Sequence, residues 1–266
     1  MIVGSQARFE VPADEWSDLD IVIFHTDPAR LIAATDWFQS FGTVVISEIE
    51  RTAVGGSRER RVLYSDGRDV DFAIFPAAAV PALAHSDEGR RVLGRGFIVL
   101  VDKDGQLTEL AAADRSETPG DPGPASEAAF EADVSDFLYH VPWAAKKLRR
   151  GETWIAKMVC DGYLKLLLVR MVEWTTIVRE PHRVDVWHEG RFLDTWAPAD
   201  VRARLPATFA QYDVQDIARA LRETTSLYTD LARQVAAKLG WAYPLEAQTA
   251  VQRLVDRTLA TLPTTR

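Results

Sequence analysis

The 266-residue chain has a single cysteine, Cys160, so it can form no internal disulfide and no cysteine-built metal site, and a reducing cytoplasm fits that usage. It also lacks the run of roughly 18 apolar residues that a membrane-spanning helix needs. Leu166–Met171 is already interrupted at Arg170, and the N-terminus has no charged-then-apolar order of the signal-peptide kind. Membrane insertion and secretion are disfavoured, and a cytoplasmic location is expected. Blocks of five or six consecutive Lys or Arg are missing as well, and 31 basic against 39 acidic residues leave a net charge of −8. Long nucleic acid is therefore an unexpected partner, because its phosphates need a basic footprint. The five histidines, His25, His85, His140, His182 and His188, are scattered without metal-ligand spacing. At 47% hydrophobic and 26% charged residues, there is enough apolar side chain for a sizeable core, which excludes a wholly disordered or fibrous chain.

Two kinds of periodicity divide the chain. Up to about residue 105, short apolar runs alternate with turns, and strands are predicted at Leu19–Phe24, Thr43–Ile49, Arg61–Tyr64, Val70–Phe75 and Phe97–Val101. A helix is predicted over Ala29–Phe41, closed by Gly42, with turns at Val54–Arg60 and Asp102–Gly105. From about residue 126 the apolar residues recur at helical spacing over Ala128–Arg149, Thr153–Trp174 and Ile217–Leu239. Shorter helices are expected at Ala199–Leu205, stopped by Pro206, and at Leu245–Leu262, with Gly240 as the break before the last. Glu117–Pro124, with three prolines and two glycines in eight residues, reads as a linker. The expected fold is α+β: a sheet domain at 1–116, a linker at 117–125 and a helical bundle at 126–266.

The most informative stretch is Gly4-Ser-Gln-Ala-Arg8 followed by Trp16-Ser-Asp-Leu-Asp-Ile21. In a strand, alternate side chains share a face, so Asp18 and Asp20 project together while Leu19, Ile21 and Ile23 enter the core. Arg68–Phe75 repeats the arrangement with Asp69 and Asp71. If the two strands are neighbours, Asp18, Asp20 and Asp71 converge as three oxygen donors. Such a cluster repels itself without a hard divalent cation, and Mg²⁺ suits a few carboxylates with its other ligands from water and substrate phosphate. Gly4 and Ser5 supply a backbone free of Cβ, an amide and a hydroxyl leading into a helix N-terminus, the makings of a phosphate site. A Gly-Ser pair alone is a weak signal, but an Asp-Leu-Asp strand start 13 residues after Ser5 makes the set specific. The bland alternative is that these carboxylates merely solvate strand ends.

This Gly-Ser…Asp-hydrophobic-Asp…Asp pattern resembles the nucleotidyltransferase superfamily of the DNA polymerase β type. More narrowly the chain resembles the aminoglycoside 6-adenylyltransferase (streptomycin adenylyltransferase) family. Its supporting segments are Gly4–Arg8, Asp14–Ile21, Asp36-Trp-Phe with Phe41-Gly42, Val70–Pro76, Val101–Gly105, Leu168–Trp174 and Ala242-Tyr-Pro244, which together span nearly the whole chain. The resemblance implies a mixed-sheet nucleotidyltransferase domain and transfer of AMP from ATP to an aminoglycoside hydroxyl, inactivating the drug. It further implies two Mg²⁺ ions on Asp18 and Asp20, with Asp71 completing the set. Two departures stand out. Relatives usually have a helix and a full strand before Gly-Ser, whereas Met1-Ile-Val3 precede it here and are expected to be too short to pair firmly. Gln6 also stands where relatives often carry Arg, which leaves Arg8 as the nearest guanidinium for phosphate.

In the helix Thr153–Trp174, Lys157, Asp161 and Lys165 recur every four residues. One reading has the stripe face a cleft, with the lysines on the triphosphate and Asp161 as general base or acceptor contact; the other is a solvated face of ordinary ion pairs. Asp185, Glu189 and Asp194 are candidate contacts for a cationic acceptor, or part of a packed turn. Trp143, Trp154, Trp174 and Trp241 are expected in the core. A lincosamide or a protein hydroxyl as acceptor, and a non-catalytic nucleotide-binding module, stand as competing readings, with a monomer or small homo-oligomer expected.

Overall fold

The computed structural model describes residues 1–8, 13–108, 123–180, 185–186, 189–260 and 262. Its contacts divide the chain into two compact units, Met1–Gly120 and Asp121–Arg266. Most of the expected linker, and His182 and His188, lie outside the described residues.

The first unit holds a five-stranded mixed sheet made of β1 (Ile2–Val3), β2 (Leu19–His25), β3 (Val44–Arg51), β4 (Arg58–Tyr64) and β5 (Asp69–Pro76), in the order β1-β2-β5-β4-β3. Strands β2 and β5 run parallel and the other pairs antiparallel. Both sheet faces carry apolar side chains. Leu19, Ile21, Ile23, Val70 and Phe72 pack with Trp37 and Phe38 on one side, while Val22, Phe24, Ala73 and Phe75 pack with Val80 and Leu93 on the other.

The short N-terminal strand does pair. Ile2 lies opposite Ile21 and Val3 opposite Asp20, and the Met1 amino group donates to the Val22 carbonyl at 2.8 Å. Phe97–Val101, by contrast, forms no strand. It makes one bridge, Ile2 to Ile98, because two-residue β1 offers no further edge, and Leu100 and Val101 stay exposed. The helix expected over Ala29–Phe41 is two helices, α1 (Pro28–Ala33) and α2 (Asp36–Gln39), parted where Ala34 is extended. The Leu31 carbonyl freed there accepts the Trp37 indole N–H at 3.0 Å, so the break leaves that oxygen satisfied. Two further helices, α3 (Val80–His85) and α4 (Asp87–Gly94), have no counterpart in the sequence reading.

The second unit is helical: α5 (Glu127–Arg149), α6 (Thr153–Met158), a π-helical turn at Val159–Tyr163, α7 (Leu164–Arg179), α8 (Leu193–Trp196), α9 (Ala199–Thr208), α10 (Val214–Leu239) and α11 (Leu245–Leu259). The fold is thus α+β, a mixed sheet with helices followed by a helical region. Within this unit, α5, α7 and α10 bury Phe130, Phe137, Leu168, Met171, Leu221 and Tyr228 almost completely. Asp133 ties the three helices together, accepting from Tyr228 Oη of α10 at 2.7 Å and Arg170 Nη1 of α7 at 2.5 Å. Gly240 ends α10 at φ +74, as a left-handed helix stop requires. Pro206 does not stop α9, which runs to Thr208. The proline removes one amide donor in the final turn, and Thr208 Oγ1 closes that turn on the Leu205 carbonyl at 2.7 Å. Trp154 departs from expectation. It is 61% exposed, whereas Trp174 is buried and Trp241 packs on Phe130.

Candidate active site

The parallel register of β2 with β5 sets Asp20 directly opposite Asp71. Asp18, one residue before β2, completes the group: one carboxylate oxygen from each of Asp18, Asp20 and Asp71 lies within 4.8 Å of the others, and all three residues are half-buried. Among the described residues no other set of three acidic, His or Cys side chains converges in this way. Alternation explains the placement. The odd-numbered apolar residues of β2 and Val70 and Phe72 of β5 enter the core, which leaves the carboxylates on the opposite face at the start of both strands.

The electrostatics are those of a crowded acidic site. Asp71 is pushed up to about 7, first by burial and then by Glu59, Asp20 and Asp69, with Arg61 opposing them. A divalent cation would relieve both the desolvation and the mutual repulsion, and a set of three half-buried hard oxygens matches its preference. The residues present therefore fit Mg²⁺.

Gly4 lies against this cluster at φ +68, and a Cβ there would overlap the Asp20 carboxylate. Ser5 is buried and its hydroxyl donates to the Asp18 carbonyl at 3.4 Å. The Gly-Ser segment is thereby tied to both aspartates. The structure corrects one expectation: Gly4–Gln6 is a single 3₁₀ turn, and Arg8 follows it half-buried with its amide on the Gly4 carbonyl.

Lys157, Asp161 and Lys165 belong to the helical unit, and the helix that carries them is not continuous. The π turn Val159–Tyr163 interrupts it at Asp161. The wider turn disturbs the usual carbonyl pairing, and the Cys160 carbonyl accepts Lys165 Nζ at 2.8 Å. Lys165 is buried, donates also to Thr224 Oγ1 at 2.9 Å and lies 3.6 Å from Asp161 Oδ1. Asp161 pairs with Lys157 and accepts the Ala210 amide at 3.1 Å. Burial would raise the Asp161 carboxyl, but the Lys157 and Ala210 hydrogen bonds and the Lys165 charge outweigh it and hold it below the ordinary value. The stripe is thus not a solvated face, and these partners all come from the helical unit itself. Asp194 lies in the first turn of α8, and Asp185 and Glu189 flank residues outside those described.

Sequence reasoning missed Glu59 and Arg61. Strand β4 begins at Arg58, not at Arg61, so Glu59 and Arg61 share the face of Asp71, while Arg60 and Val62 turn to the core. The period-two alternation of Glu59, Arg61 and Leu63 was the available signal, masked by four charges in a row. The helical unit also has a recess of about 590 Å³ bordered by Asp133, Asp136, Arg170, Glu173 and Trp174.

The chain is similar to known proteins over most of its length. Aminoglycoside 6-adenylyltransferase of Campylobacter jejuni is 20% identical over 247 residues, covering 91% of this chain and 83% of that protein. The protein of the same name from Bacillus subtilis (strain 168) is 20% identical over 248 residues, covering 91% and 84%. The crystal structure of an aminoglycoside 6-adenyltransferase from Bacillus subtilis superposes with a TM-score of 0.50 at 14% identity, over 93% of this chain and 90% of the other, which speaks for the fold. The streptomycin adenylyltransferase profile matches residues 1–258, and with that span this chain belongs to the streptomycin adenylyltransferase family, a family of nucleotidyltransferases.

Proposed function

We propose that the protein transfers AMP from ATP to a hydroxyl of a streptomycin-like aminoglycoside, inactivating the antibiotic. The observation that carries this reading is the convergence of Asp18, Asp20 and Asp71 within 4.8 Å beside the Gly4-Ser5 turn. Those three carboxylates would hold Mg²⁺, two ions in this reading, which supplies charge neutralisation for the reacting phosphate and the acceptor oxygen. The names of the relatives from Campylobacter jejuni and Bacillus subtilis support an aminoglycoside acceptor. The net charge of −8 is compatible with a polycationic one.

In the transfer, the acceptor oxygen forms a bond to the α-phosphorus, the bond to the β-phosphate oxygen breaks, and pyrophosphate leaves. In this reading the Gly4-Ser5 backbone, which lies against Asp20, would receive phosphate oxygens, with Arg8 the nearest guanidinium in sequence. The hydroxyl proton needs a carboxylate, and Asp71 suits this better than Asp161, whose Oδ2 is engaged by Lys157 and the Ala210 amide and whose Oδ1 lies 3.6 Å from the Lys165 ammonium. No described helix is long and apolar enough to cross a membrane. This accords with a cytoplasmic enzyme acting on drug that has entered the cell.

The test is incubation with ATP, Mg²⁺ and a panel of streptomycin-type and other aminoglycosides, a lincosamide and a hydroxyl-bearing protein, with products resolved by mass. Streptomycin gaining one AMP is the expected outcome. Transfer to the lincosamide or protein alone would move the acceptor class. No transfer to any, with ATP still bound, would favour a non-catalytic nucleotide-binding module.

A further inference from the structure

Asp71 has a neighbour of opposite charge. Arg61 stands directly across from it in the β4–β5 pairing, with Nε 3.2 Å from Asp71 Oδ2. The same guanidinium is held by two other acids, Glu59 at 2.9 Å from Nη2 and Glu50 at 2.5 Å from Nε. Glu50 and Glu59 are themselves cross-strand partners on β3 and β4. One cation is thus shared among three carboxylates, of which one belongs to the Asp18, Asp20 and Asp71 cluster. The Arg61 side chain is 45% exposed, so it has room to move. Because Glu50 and Glu59 already neutralise it, withdrawing it from Asp71 strands no charge.

We propose that Arg61 is the resident counter-cation of the metal cluster: a positioning residue that holds Asp71 before metal arrives and keeps affinity for free divalent ions low. Uptake of the cation is thereby coupled to the nucleotide, whose triphosphate brings the negative charge that Arg61 offsets. The inference rests on the metal assignment made above. Its physical basis is competition, since a guanidinium and a divalent cation drawing on one carboxylate repel each other. In a partly solvated setting that repulsion corresponds to roughly tenfold in affinity. A purely structural Arg61 makes the opposite prediction, because removing it would let Asp71 swing and would weaken metal binding.

The experiment is a Mn²⁺ titration of the full chain, read by paramagnetic resonance and calorimetry, first alone and then with an ATP analogue whose α,β-bridge resists transfer. Arg61→Gln is expected to bind free Mn²⁺ about tenfold more tightly than the parent, and Arg61→Lys, which keeps the charge, within about threefold of it. With the analogue present, the gap between Arg61→Gln and the parent should shrink to under about threefold. Unchanged or weaker binding by Arg61→Gln would overturn the proposal, as would Arg61→Lys rising as far as Arg61→Gln. Asp20→Asn separates the two levels. If it binds Mn²⁺ as the parent does, the metal assignment fails and the inference with it. If it loses binding while Arg61→Gln is unmoved, the inference alone fails.

Discussion

Replacing Lys165 with Ala tests whether the charged stripe of the helical unit serves substrate or structure. The ammonium donates to the Cys160 carbonyl and to Thr224 Oγ1, lies 3.6 Å from Asp161 Oδ1 and stands 5.0 Å from the centre of the Phe209 ring. On its removal Thr224 keeps its bond to the Thr208 carbonyl, and Asp161 keeps Lys157 and the Ala210 amide. The Cys160 carbonyl loses a charged donor, and the lysine stem leaves a void in the core. Breaking a buried pair by removing one partner costs about 3–5 kcal/mol, and because Asp161 retains a cation the lower end, about 3 kcal/mol, applies. For a unit of this size that is a fall of roughly 6–12 °C in melting temperature. Lys165→Met keeps the stem and should lose about half as much. The pH dependence has a definite sign. Burial holds the Lys165 ammonium below its ordinary value of 10.5, with Cys160 and Asp161 opposing. Between the folded value and 10.5 the unfolded chain therefore binds more protons at this site, and stability from this group rises with pH. The advantage of the parent over Lys165→Met should widen towards pH 10. Thermal melts followed by circular dichroism, with calorimetric ATP binding alongside, give both quantities. A Lys165→Ala variant that melts with the parent but binds ATP tenfold more weakly would refute the structural placement.

Asp20→Asn should abolish transfer while the melting temperature without metal stays level or rises, because the change relieves repulsion towards Asp71; a large fall in melting temperature would show that Asp20 holds the fold. Gly4→Ala forces a Cβ into the Asp20 carboxylate at a positive φ, so a loss of about 1–3 kcal/mol together with weaker Mn²⁺ binding is expected, and parental values in both would remove the close-approach argument. Cys160 is buried and its thiol is pushed up to about 12, first by burial, so a thiol reagent at pH 8 should label it only after denaturation; rapid labelling of the native protein would contradict that burial. Asp133→Ala leaves the buried Tyr228 hydroxyl and Arg170 without their shared acceptor and should destabilise the helical unit by about 3 kcal/mol in a denaturant titration. A change under about 0.5 kcal/mol would show that those bonds contribute little.

The amino-acid sequence by itself determined the two regimes of periodicity, the strands β2, β3 and β5 to within a residue or two, the long helices α5 and α10, and the three metal-binding candidates. These are local properties. Alternation at Asp18-Leu-Asp and Asp69-Val-Asp assigns each side chain to a face wherever the strand ends up, and Gly240 stops α10 through its own φ. Helix α4 went unread although its signal is local: Ser86 caps it by accepting the Gly89 amide at 3.0 Å, and Asp87 and Glu88 fill its first turn. What only the tertiary structure decided depends on partners distant in the chain. The register that sets Asp20 opposite Asp71 is a pairing 51 residues apart in sequence. Arg61 reaches Asp71 only because β4 lies beside β5 and begins three residues early. Lys165 looks like a surface charge in its own helix and becomes a buried one because Thr224 of α10 and the π turn at Cys160 supply its acceptors. Local spacing says which residues share a face, whereas the charges that face them across strands and helices are fixed only once the chain has packed.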